Sequence, residues 1–189
     1  MNMTRILFPI ALSMLLSACS LFQIKQDDQG LNTLDEFQVK GKLSVRNAEE
    51  SVTGYLTWDQ DGDAFDLFIS GPFGQGTTQL EGDSHRATLA LPGKPPVSAA
   101  SASDLMQAYL GWQFPVLDLR YWVKGQASPE APFEAQHNEQ GLMTQLKQYG
   151  WNIDFSRYSQ HSGLWLPGRI KITGRDYKFI FVIKRWTLS

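Results

Sequence analysis

The chain has 189 residues, with 17 Lys and Arg against 19 Asp and Glu and a single cysteine. That length suits one domain. The slightly acidic balance argues against a nucleic-acid binder, and one cysteine rules out an internal disulfide or a Cys-built metal site. Hydrophobic residues make up 42% of the chain, and its six Trp and eleven Phe are ample for a core.

The N-terminus carries the most specific signal. Arg5 supplies a positive start, "ILFPIALSMLL" a short apolar run, and "LSACS" a small-residue stop. This is a secretory signal, too short to span a bilayer. Leu16-Ser17-Ala18-Cys19 matches the bacterial lipobox. In that motif small residues admit the signal peptidase, and the cysteine thiol accepts a diacylglyceryl group before cleavage. The reading gives a signal peptide over 1–18, a lipidated tether over 19–34 and one domain over 35–189. Apart from diacylglycerol and an N-acyl chain on Cys19, no cofactor is expected. Ser20 follows the cysteine where Asp would favour inner-membrane retention, which points to a lipid anchor in the outer membrane facing the periplasm. Without residues 1–18 the charge is −3, because Arg5 is the only charged residue lost.

Residues 20–34 are polar and aperiodic, which suits a flexible spacer. Alternation then begins. Phe37, Val39, Leu43 and Val45 interleave with polar residues, Gly41 taking one apolar slot, as in a half-buried strand. Residues 51–58 form a second such run, and Phe65, Leu67 and Ile69 a third. Asp61-Gly62 between them predicts a type I′ hairpin. Residues 77–80 and 86–91 continue the meander, with a turn near Gly82-Asp83.

"LPGKPP" breaks the pattern at 91–96. Ser103 reads as a helix N-cap before Leu105, Met106, Tyr109 and Leu110. Pro115, the Leu119, Trp122, Val123 stripe and Gly125 outline a second short helix. Strand character returns at 133–137, 142–148, 151–158, 169–173 and 177–187. The last run is apolar on both faces, as in a central strand covered on each side. Ten or eleven twisted antiparallel strands curl rather than stay flat. The expected fold is mainly β: an unclosed antiparallel barrel with two or three short helices covering an apolar cavity.

In order along the chain, the lipobox, "VKGKLSVR", Trp58, "ISGPFGQGTTQL", "FPVLDLRYWVKG", "QYGWNIDFSRY", "LPGRIKI" and "IKRW" resemble the LolB-type outer-membrane lipoprotein receptors. The resemblance implies an unclosed barrel with helices over its opening. It also implies a monomer that takes acylated lipoproteins from a LolA-type periplasmic carrier and inserts them into the inner leaflet of the outer membrane. The family carries an exposed hydrophobic residue between Pro and Gly after the third strand, here Phe73 between Pro72 and Gly74. The family position is more often aliphatic, and Gly71 and Gly76 replace a commoner Asn and Ser or Thr. Read from the residues alone, Phe73 fits either an exposed tip or a cap folded onto the core. The acyl-chain cavity would draw on Leu43, Val45, Leu56, Trp58, Phe65, Leu67 and Ile69, with Leu105, Met106, Leu119 and Trp122 from the helices. Any one of these is also explained by plain core packing. The family's basic docking face would use Lys40, Lys42, Arg46 or Lys171.

An enzyme finds little support. His85, His137 and His161 lack metal-ligand spacing, no G-x-S-x-G elbow is present, and "DQDGDA" misplaces the glycine of a calcium loop. No catalytic residue or metal ligand is expected. Another kind of lipid-binding or hydrophobic-ligand-binding envelope lipoprotein would share the anchor and the cavity.

Overall fold

The computed structural model describes residues 27–71, 76–112 and 114–189. The signal segment, Cys19, Pro72, Phe73 and Gly74 lie outside the described residues. The chain opens with a short helix, α1 (Asp28–Thr33), and a meander of six strands: β1 (Glu36–Arg46), β2 (Ser51–Asp61), β3 (Ala64–Ser70), β4 (Thr78–Gly82), β5 (Ala87–Ala90) and β6 (Val97–Ala99). The helical insert follows as α2 (Ala102–Leu110), a 3₁₀ turn at Val116–Asp118 and α3 (Leu119–Trp122). The second half holds β7 (Phe133–His137), β8 (Met143–Gln148), β9 (Trp151–Ser156), β10 (Ser159–His161), β11 (Leu164–Leu166), β12 (Arg169–Gly174) and β13 (Tyr177–Leu188).

Eleven strands form one sheet in the order β6-β5-β4-β3-β2-β1-β13-β12-β9-β8-β7. All its pairings are antiparallel. The edge strands β6 and β7 do not pair with each other, so the barrel is unclosed. β10 and β11 make a separate hairpin. The last strand joins the first: β13 pairs with β1 over most of its length, from Phe37–Leu188 to Arg46–Lys178. A bulge at Lys40 and Gly41 bends this seam. Gly41 is required there, since a Cβ would lie 2.2 Å from the Val182 carbonyl oxygen.

Alternation sets the two faces of the sheet. Phe37, Val39 and Val45 of β1 are buried, whereas Lys40, Lys42 and Arg46 are exposed. Five local expectations need correction. First, the turn between β2 and β3 forms at Gly62-Asp63, because Asp61 pairs with Ala64. Only Gly62 of the two has positive φ (56°), the pattern of a II′ turn rather than I′. Second, the N-cap of α2 is Ser101, whose Oγ accepts from the Asp104 N–H at 3.2 Å; Ser103 instead accepts from the Val116 N–H.

Third, the end of the expected spacer is folded. Asp27 caps α1 by accepting the Gly30 N–H, and Leu31 and Leu34 are buried, so two leucines in a polar segment were enough to dock it. Fourth, the run 151–158 ends as a strand at Ser156, because Arg157 adopts a left-handed φ of 58°. Fifth, β13 is central but packs on one face only. Phe179, Phe181 and Ile183 are core residues, whereas Ile180 and Val182 on the other face are half-buried and outside the core.

Candidate functional site: an apolar cavity beneath the helical insert

The inner face of the curled sheet meets the helical insert around a cavity of about 100 Å³. From the sheet it is lined by Leu43, Leu56, Trp58, Leu67, Ile69, Ile170, Ile172, Phe179 and Phe181. Met106, Trp112, Phe114, Leu119, Trp122 and Val123 come from the insert. No lining residue is charged.

Three tryptophans stand at its wall, and two of them, Trp58 and Trp122, have their polar N–H turned away and satisfied. Trp58 donates to Gln60 Oε1 at 2.9 Å, and Gln60 Nε2 in turn donates to the Gly62 carbonyl. Trp122 donates to Gln148 Oε1 at 2.9 Å. Trp58 and Trp122 therefore turn only hydrocarbon toward the cavity and leave no unpaired donor of their own there.

Gln148 organises the insert from below. Its Oε1 also accepts the Ser128 N–H, and its Nε2 donates to the carbonyls of Ser128 (2.7 Å) and Ala131 (2.9 Å). One buried side chain thus binds the segment after α3 to β8. Phe114 fills the space above, in edge or tilted contact with Trp122, Trp151 and Phe179 at ring separations of 6.0, 4.9 and 4.8 Å.

Polar clasps hold the two ends of α3. The Arg120 guanidinium reaches across to the β2–β3 turn, donating to the Gly62 carbonyl and pairing with Asp63. That contact holds the Asp63 carboxyl below the usual carboxylate range. At the other end the buried Lys124 ammonium donates to the carbonyls of Leu31 and Leu34, each at 2.9 Å. Burial pushes its pKa down to about 8, against the pull of Asp35 and together with the repulsion of Arg120. Gly125 then ends the segment at φ 78°, where a Cβ would meet Tyr158 Oη at 2.6 Å.

Of the eleven residues expected at the cavity, eight line it: Leu43, Leu56, Trp58, Leu67, Ile69, Met106, Leu119 and Trp122. Val45, Phe65 and Leu105 are buried but stand away from its wall, in the packed core. Sequence reading missed Trp112, Phe114, Val123, Ile170, Ile172, Phe179 and Phe181. The strand residues among them alternate clearly, but only the β1–β13 pairing shows that they share the face of Leu43. Of the basic candidates, Lys40, Lys42 and Arg46 are exposed on the outer face of β1. Lys171, also outward on β12, pairs with Asp154 at 2.6 Å.

Fold and site together define an unclosed β-barrel protein with an apolar cavity beneath its helices. Solved structures with this fold include a LolA superfamily protein from Nitrosomonas europaea (TM-score 0.56, 9% identity, 88% of this chain and 89% of that one). Another is a putative outer-membrane lipoprotein-sorting protein domain from Vibrio parahaemolyticus (TM-score 0.57, 13% identity, 85% and 90%). The family model described as Outer membrane lipoprotein LolB matches residues 35–186, and the chain belongs to that family. It is 36% identical to the outer-membrane lipoprotein LolB of Stutzerimonas stutzeri over 86% of this chain and 79% of the relative. With the LolB of Pseudomonas fluorescens it shares 34% over 91% and 90%, and with that of Cellvibrio japonicus 36% over 88% and 84%.

Proposed function

We propose that this chain is an outer-membrane lipoprotein receptor: it accepts acylated lipoproteins from a LolA-type periplasmic carrier, holds their acyl chains in the cavity and releases them into the membrane. The observation that carries the reading is a cavity lined by hydrocarbon and placed beneath a clasped helical insert. A lipoprotein bears three acyl chains. At about 0.8 kcal/mol per CH₂, exposing them to water costs roughly 30 kcal/mol, so free diffusion is excluded. Non-covalent sites saturate near about −20 kcal/mol, which favours direct handover from carrier to receptor to bilayer down a gradient of affinity.

The cavity of about 100 Å³ is small beside a typical ligand pocket of about 300–1,000 Å³. Loading therefore requires the insert to shift outward against the Arg120 and Lys124 clasps. The protein acts as a monomer, anchored through a lipidated Cys19, with Phe73 between Pro72 and Gly74 as the element that enters the acyl region. The carrier docks through Lys40, Lys42, Arg46 and Lys171. The test is transfer of an acylated lipoprotein from purified carrier to the full-length lipidated protein in vesicles. The expected result is stoichiometric transfer followed by insertion of the cargo; cargo that stays on the carrier would overturn the reading.

A further inference from the structure

The outer face of the seam between β1, β13 and β12 concentrates positive charge in a chain whose net charge is −2. β1 contributes Lys40, Lys42 and Arg46; β13 contributes Lys178, Lys184 and Arg185; β12 contributes Arg169 and Lys171. These are eight of the chain's 17 basic residues. From Gln38 to Arg46 on β1, and along the outer positions of β12 and β13, no residue is acidic. The nearest acids stand on the flanks and in turns. Asp59 on β2 accepts from Gln38, and Asp154 on β9 pairs with Lys171. Glu49, Glu50 and Asp176 occupy the turns.

The register sharpens the point. Lys40 lies directly opposite Arg185, and Arg46 directly opposite Lys178. Like charges placed opposite each other across a ladder destabilise the sheet, so folding alone does not account for two such pairs. Among the eight cations, Lys171 is the one in an ion pair among the described residues. The same face also shows apolar groups where alternation calls for polar ones. Ile180 and Val182 stand half-buried between the cations, Tyr55 is 53% exposed and Phe68 is 41% exposed. The Lys42 ammonium sits 5.5 Å from the centroid of the Tyr55 ring. Aromatic and aliphatic groups among cations on one exposed sheet face suit the headgroup region of a bilayer.

We propose that this face docks the domain on the phosphate headgroups of anionic phospholipids in the membrane that holds its anchor, with Lys42, Arg169, Lys40 and Arg185 at its centre. The proposal rests on the membrane location of the family and not on the carrier. It gives the basic face a second partner, engaged while no carrier is present. The span fits a surface contact: Lys178 to Arg185 is seven residues, about 23 Å of strand. Tyr55 pairs with Ser70, the last residue of β3, so the aromatic edge of the face adjoins the connection that carries Phe73. One bilayer can meet both.

The experiment uses the full-length lipidated chain, anchored in vesicles of phosphatidylethanolamine and phosphatidylcholine, or in the same vesicles with one fifth phosphatidylglycerol. Acetylation rates of Lys40, Lys42, Lys178 and Lys184 are compared with those of Lys94 and Lys147, without carrier. Each basic residue at an anionic surface contributes on the order of fivefold in binding. The four face lysines should be acetylated at least fivefold more slowly in the anionic vesicles, and the slowing should vanish in high salt. The double variant Lys42→Glu, Arg185→Glu should lose it at Lys40, Lys178 and Lys184. Equal rates in both vesicles overturn the proposal. So does slowing that appears only when carrier is added, which would assign the face to the carrier alone. Cargo transfer measured on the same vesicles tests the receptor reading separately.

Discussion

The Lys124 ammonium lies 2.9 Å from the carbonyl oxygen of Leu31, a contact that spans 93 positions of sequence and joins the start of the domain to the end of α3. It has a pH signature. The pKa of about 8 lies below the ordinary lysine value of 10.5 because burial disfavours the charge. Between those values the folded chain has released a proton that the unfolded chain keeps, so stability rises with pH across about 8 to 10.5. The gain is complete above 10.5 and absent below 8. Lys124→Met should flatten that part of the stability profile. It should also lower stability by about 1–3 kcal/mol at pH 7, since a buried carbonyl loses its partner. Urea titrations of both proteins at a series of pH values measure both effects.

Gln148 makes four hydrogen bonds from one buried amide. Gln148→Leu keeps the bulk and removes all four, leaving the Trp122 N–H and the Ser128 N–H without their acceptor. The expected cost is about 3 kcal/mol or more. Amides of 116–131 should exchange with deuterium faster than those of β1 and β13, because the insert loosens before the sheet does.

Cavity volume and stability should separate. Leu56→Trp fills the cavity from the β2 wall; overpacking costs about 1–3 kcal/mol, and capture of an acylated cargo should fall at least tenfold. Phe114→Ala opens the opposite side. It should cost about 3–5 kcal/mol in stability yet retain capture. Cargo capture measured below the melting range of each variant distinguishes the two.

Phe73→Glu tests the insertion role. A buried Phe contributes only about 1.5–3 kcal/mol, too little to anchor a protein but enough to seat a loop tip in the acyl region. The variant should fold and capture cargo normally, while delivery to liposomes falls at least tenfold. Delivery at the wild-type level would remove Phe73 from the mechanism.

The strands were legible because their burial alternates cleanly, as in Phe37, Val39 and Val45 against Lys40 and Arg46. The insert was legible through its helical spacing and through Gly125, which takes the left-handed conformation expected where a helical segment stops; Gly111, which does the same after α2, was not singled out. What stayed hidden depends on contacts distant in sequence. Phe179 and Phe181 looked like generic core until β13 was seen to pair with β1 and β12. Phe114 sits in a loop, where no periodicity could mark it as the ring at the centre of the cavity wall. α1 escaped because its helix depends on Leu31 and Leu34 docking beside Lys124, a partner 90 residues away.

The gap between β6 and β7 has a mechanical meaning. In a closed barrel, strand number and shear fix the radius, and any change of girth must break ladder hydrogen bonds. Here the sheet behaves as a split ring. Its two free edges can part while all eleven strands keep their pairings, and the stretch falls on the insert and its clasps. On the proposed function, a guest would then set the size of its own chamber, and acyl chains of unequal length would need no separate pockets.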